Sequence, residues 1–202
     1  MPEKKDFDEN ELNLILEEIG RMEATIEGLL DFSRERPLRR TCHDLKGPIR
    51  RALNLIEGRA RQQKVVLRII EVEESLFVNG DAEQLHQVFV NLLINAIEAM
   101  PDGGCLAITL SLPESRSHVQ IQIHDTGNGI PEEILLRIFE PFATTKERGT
   151  GLGLAVSRRI IDQHGGSLFA QNAAEGGALF TIELPVAADQ VSVHAGELVA
   201  TI

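Results

Sequence analysis

From Leu12 to Leu29 the apolar positions Leu12, Ile15, Ile19, Met22, Ile26 and Leu29 recur at intervals of 3, 4, 3, 4 and 3. That seam predicts a helix over residues 11–33, because only a helix brings such positions onto one face. Leu16 and Leu30 widen the stripe, as a helix in a bundle requires. Pro37 disfavours continuing the helix. A boundary at residues 34–37 then divides the chain into segments 1–36 and 37–186, with a weakly patterned tail over 187–202.

Downstream the period changes. A strand is expected over 38–45, then a helix over 48–62 with Pro48 at its first position. The β-branched run Lys64–Ile70 predicts a strand. Asp81, with Gln84 three residues on, forms a capping box for a helix over 82–100. The turn Pro101-Asp102-Gly103-Gly104 precedes strands near 105–112 and 118–124. A short helix follows Pro131, and another at 152–164 ends at Gly165-Gly166. Strands near 167–172 and 178–184 close the domain.

With 43% hydrophobic and 25% charged residues, the 202-residue chain can bury a core. No apolar run reaches the roughly 20 residues of a bilayer span, and no export signal opens the sequence. Cys42 and Cys105 suit neither a disulfide framework nor a metal pair, so a reducing cytoplasmic setting is expected. A net charge of −11 argues against nucleic acid as a partner. Eleven of the twenty basic residues lie between Arg34 and Arg68. They form a solvated face, balance acidic neighbours, or dock an acidic partner.

Four segments carry candidate chemistry. Asn91, Asn95 and Glu98 share one face of the capped helix. Two such Asn suit a plain polar face as well as a Mg²⁺ site. Asp125-Thr126-Gly127-Asn128-Gly129 follows a strand. It is either a tight turn or a carboxylate set to accept an exocyclic amine, with glycines that admit a flat ring. Ile138–Lys146 holds two Phe around Pro141 in a loop long enough to be a lid, with Lys146 placed to meet phosphates. Gly149-Thr150-Gly151-Leu152-Gly153-Leu154 runs into a helix and offers an anion cradle. It is neither the dinucleotide fingerprint, since Leu154 stands where Gly or Ala is needed, nor a P-loop.

In this order and spacing the four segments resemble the catalytic domain of two-component sensor histidine kinases. That domain belongs to the superfamily shared with Hsp90-like chaperones, type II topoisomerases and MutL. The resemblance covers residues 38–186. It implies an α/β sandwich of the Bergerat type: a mixed sheet with helices on one face, preceded by one dimerisation-bundle helix ending Leu29–Arg34. The stretches Asn95–Met100 and Phe142–Lys146 are most similar to the NtrB-like branch.

By that resemblance Asn95 is the Mg²⁺ ligand, Asp125 the adenine acceptor, and Gly127 and Gly129 the ring-side wall. Gly149, Gly151 and Gly153 form the hinge and phosphate cradle, with Lys146 at the outer phosphates. Asn91, Glu98, Ile130, Phe142, Thr145, Thr150, Leu152 and Leu154 complete the expected ATP-binding set, and Asn91 and Lys146 are the expected catalytic pair. Asn91 stands where the hydrolytic branches carry a glutamate, and a neutral amide cannot act as general base. The implied activity is transfer of the γ-phosphoryl group to a histidine, for relay to a response-regulator receiver domain, in a homodimer paired through the N-terminal helix.

The expected acceptor is missing. His43-Asp44-Leu45-Lys46-Gly47-Pro48 mimics the acceptor motif, but His43 lies only 48 residues before Asn91. Two bundle helices plus the first strand and helix of the catalytic domain do not fit that interval. His43 is therefore read as an edge-strand or loop residue, and the acceptor as lying in another segment or chain. Leu179 stands where many relatives carry Ser or Thr near the adenine.

Overall fold

The computed structural model describes residues 37–187 apart from 72, 73, 147 and 148, together with eleven positions between 12 and 30. The eleven are helical and exposed, among them Leu12, Ile15, Ile19, Met22, Ile26 and Leu29 of the seam. The boundary at 34–36 and the tail beyond 187 lie outside the described residues.

Among the described residues from 37 on there are seven strands and four helices: β1 (Thr41–Asp44), α1 (Lys46–Gln62), β2 (Val65–Glu71), β3 (Phe77–Gly80), α2 (Ala82–Glu98), β4 (Gly104–Ser111), β5 (His118–Asp125), α3 (Glu132–Leu135), α4 (Gly153–Gln163), β6 (Ser167–Asn172) and β7 (Ala178–Pro185). Five strands form a sheet in the order β2-β4-β5-β7-β6. Only β2 and β4 run parallel, so the sheet is mixed. The strand alternation explains the layers: Leu106, Ile108 and Leu110 of β4, Val119, Ile121 and Ile123 of β5, and Phe180, Ile182 and Leu184 of β7 are buried on one face. Against that face α2 lays Leu85, Phe89, Leu92, Leu93 and Ile97, and α1 lays Ile49, Leu53 and Ile56. The expected α/β architecture, helices on one face of a mixed sheet, is the one observed.

Boundaries moved for local reasons. The first helix begins at Lys46 rather than Pro48, because the Asp44 carboxylate accepts the Lys46 N–H at 3.0 Å and starts the turn earlier. The four-residue strand β3 was not foreseen. It pairs antiparallel with β1, opposing His43 to Val78, so His43 lies on a strand of a small two-stranded sheet. Asp81 caps α2, accepting from the N–H groups of Glu83 and Gln84. The reciprocal half of the capping box is not made: the Asp81 N–H is bound by His164 Nε2, while Gln84 Oε1 is buried without a partner. Several basic residues of the Arg34–Arg68 stretch balance acidic neighbours, in the pairs Arg51–Glu83, Arg59–Glu98 and Arg61–Glu57.

Candidate functional site

A cavity of about 350 Å³ opens between α2, the end of β5 and the segment leading into α4, within the size range of small-molecule sites. On its α2 wall stand Asn91, Ile94, Asn95, Glu98 and Ala99. Helical spacing aligns Asn91, Asn95 and Glu98 along one side while Leu92, Leu93, Ala96 and Ile97 anchor the other in the core.

Asp125 ends β5 as the next inward residue after Val119, Ile121 and Ile123, so the pleat carries a carboxylate onto the core face, 1% exposed. Its Oδ1 accepts from the N–H of Gly127 at 2.9 Å and of Ala178 at 3.3 Å. Burial pushes its pKa up, against the lowering effect of those two N–H groups. The loop behind it is shaped by glycine. A Cβ at Gly127 would overlap the Ala99 carbonyl, and Gly129 has φ +72°. The turn is held by Asn172, whose amide accepts from Ile130 N at 2.6 Å and donates to Ile130 O at 2.8 Å.

At the opposite end, Lys146 Nζ donates to Asn95 Oδ1 at 2.9 Å and to Glu98 Oε2 at 2.6 Å. Glu98 is also bound by Arg59 at 2.8 Å. Burial alone would raise the Glu98 pKa, but the Lys146 ammonium and then the Arg59 guanidinium hold it below the usual range. Thus a neutral carbonyl and a carboxylate already converge on a cation. Gly149, Thr150, Gly151 and Gly153 line the same end. Gly151 has φ +66°, and its carbonyl accepts the Phe142 N–H at 2.9 Å, closing the loop on itself.

Of the expected set, Asn91, Asn95, Glu98, Asp125, Gly129, Ile130, Thr145, Lys146, Gly149, Thr150, Gly151, Gly153 and Leu154 line the cavity. Three do not. Gly127 packs behind the wall against Ala99. Phe142, at φ +68°, is 62% exposed and contributes backbone rather than ring. Leu152 is buried beneath the loop and lines a smaller neighbouring cavity. On β7 the alternation turns Ala178 and Phe180 to the cavity, while Leu179 is not among its lining residues. Sequence reading missed Ile134, Ile138, Ala143, Ala178 and Phe180 as lining. Strand parity on β7 could have found the last two.

A family model described as histidine kinase-, DNA gyrase B-, and HSP90-like ATPase matches residues 80–188, more than half of the chain. The chain belongs to this ATPase family. Among curated relatives, Sporulation kinase C of Bacillus subtilis is 35% identical over 93% of this chain and 43% of its own length. Sporulation kinase A of the same organism is 38% identical over 88% of this chain and 29% of its own. Sensor histidine kinase ZraS of Escherichia coli (strain K12) is 35% identical over 86% and 37%. The chain thus spans less than half the length of these relatives. Among solved structures, the catalytic domain of histidine kinase ThkA is 36% identical, covering 73% of this chain and 96% of that one, with a TM-score of 0.67. ThkA in complex with response regulator protein TrrA is 32% identical over 94% of this chain and 54% of that one, with a TM-score of 0.76.

Proposed function

We propose that this chain is the catalytic module of a histidine kinase of the NtrB-like branch, acting in the cytoplasm. It binds Mg-ATP through the segment 37–186 and transfers the γ-phosphoryl group to a histidine, for relay to a receiver-domain aspartate of a response regulator. The observation that carries this reading is a single cavity with opposite chemistries at its ends. Buried Asp125 offers an acceptor to an adenine amino group, and Lys146 with the Gly149–Gly153 segment offers donors to phosphates. Asn91 in place of a general base supports transfer over hydrolysis.

Mg²⁺ fits the donor set. The Asn95 carbonyl and the Glu98 carboxylate are hard oxygens that already hold a cation, and too few to cage a metal without substrate phosphates. When bound, the metal supplies charge neutralisation at the transferring group. The protein's own part is positioning: Lys146 for the outer phosphates, backbone N–H groups at the start of α4 for the inner ones. The exposed seam from Leu12 to Leu29 is the surface through which the chain pairs in a homodimer.

The test is phosphotransfer. Incubated alone with Mg²⁺ and γ-labelled ATP, the chain should incorporate almost no acid-labile, base-stable phosphate. A dimerisation-domain fragment bearing an acceptor histidine should become labelled when added. Strong self-labelling abolished by His43→Gln would overturn this reading. Tight ATP binding with no transfer to any fragment would favour a nucleotide-dependent switch protein instead.

A further inference from the structure

Ser157 is one of three buried polar or charged residues among the described ones, at 2% exposure. It lies one turn into α4, and its Oγ accepts from Asn91 Nδ2 at 2.9 Å. Buried hydroxyls need partners, and this one has found the amide on the facing helix. The other half of that amide is also constrained. A Cβ on Gly153, four residues before Ser157, would collide with Asn91 Oδ1. The carboxamide is therefore held between positions 153 and 157, which helical spacing stacks on one face of α4. Its nitrogen is turned to Ser157 and its oxygen to Gly153.

Asn91 is also shared between two cavities. The smaller, about 140 Å³, is lined by Gln87 and Ser157 and shares Asn91, Thr150 and Gly153 with the larger one. A side chain standing between two open spaces is not fixed by packing alone. An Asn that rotates by half a turn exchanges an acceptor for a donor at the same point.

We propose that Ser157 is a positioning residue for Asn91: by anchoring Nδ2 it presents Oδ1, a hard acceptor, to the phosphate end of the cavity. The proposal rests on the nucleotide-binding reading above. It explains a polar side chain in the core-facing row of α4, between Val156 and Ile160, that no other part of the site uses. Through Gly153 and Ser157 the start of α4 sets the position of the phosphate cradle and the orientation of Asn91 together.

Two measurements on the whole chain test this. In ¹⁵N–¹H spectra of the protein alone, the side-chain amide pair of Asn91 is assigned by its loss in Asn91→Ala. It should be shifted and slow to exchange in the parent, and move to solvent-like values in Ser157→Ala. An unchanged pair overturns the proposal. Calorimetry then uses ADP and adenylyl-imidodiphosphate with and without Mg²⁺. Ser157→Ala should keep the metal-free affinity and lose about fivefold of the Mg²⁺-dependent gain, the scale of one hydrogen bond. Asn91→Ala should lose the same Mg²⁺-dependent gain, and the double variant no more of it, since both act through one group. Equal losses with and without metal would mark Ser157 as packing only and overturn the proposal, as would additive losses. Alanine removes a single atom at a helical position it favours, so the variant should fold. A parent that binds no nucleotide overturns the functional reading instead, and the amide spectrum still decides whether Ser157 holds Asn91.

Discussion

The buried ring of His164, just past the end of α4, accepts the backbone N–H of Asp81, the cap of α2, at 2.9 Å. Its Nδ1 lies 2.7 Å from the Ile160 carbonyl and donates to it, so the ring is neutral with Nε2 free to accept. One imidazole thus ties the cradle helix to the helix that carries Asn91 and Asn95. Burial lowers the His164 pKa below 6.5, although the Ile160 carbonyl works the other way. The native state therefore binds fewer protons than the unfolded chain, whose histidine titrates near about 6.5. The stabilisation is fully present above that value and is lost as pH falls through the depressed folded pKa. Urea unfolding as a function of pH should show this loss. His164→Phe should cost about 1–3 kcal/mol at neutral pH and flatten the dependence.

Asp125→Asn should separate binding from folding. The asparagine Oδ1 can still accept from Gly127 and Ala178, and removing a buried charge relieves desolvation. Melting should be unchanged or slightly higher. Adenine recognition needs an acceptor where the amide presents N–H groups, so ADP affinity should fall about tenfold or more. Near-parental ADP affinity by calorimetry would remove Asp125 from the adenine site.

Asn95→Ala should abolish most of the Mg²⁺ dependence of ATP binding, with a smaller effect on metal-free nucleotide. Its Oδ1 now holds Lys146 together with Glu98. The paired variant Lys146→Met should weaken ATP more than ADP, because the lost ammonium serves the outer phosphates. Equal weakening of the two nucleotides would place Lys146 elsewhere.

Two glycines make a contrasting pair. Gly127→Ala forces a Cβ into the Ala99 carbonyl and should destabilise by about 2 kcal/mol or more. Gly58 sits within α1 with open space around its Cβ position. Gly58→Ala should stabilise by about 0.5–1 kcal/mol, and thermal melts will order the two variants.

Much of this protein is legible along the chain. The apolar rows of α2, its Asp81 cap, and the alternation of β4, β5 and β7 are local or periodic signals, each repeated over several residues. The four motifs are legible in residue type and order, and residues of all four line one cavity. His43 lies on β1, within the strand expected over 38–45.

What the chain does not carry is which side chains meet across it. Strand β3 has four residues and exists through its pairing with β1, so no pattern announces it. Gln84 fits the local rule for a capping box, yet His164, 83 residues beyond Asp81, takes the bond, because a preformed acceptor on a packed helix is already ordered there. Asn172 clasps Ile130 and Ser157 clasps Asn91 over separations of 42 and 66 residues. A motif states which groups the chemistry requires. Their orientation comes from buried hydrogen bonds between elements, and those exist only once the sheet and its helices have closed around them.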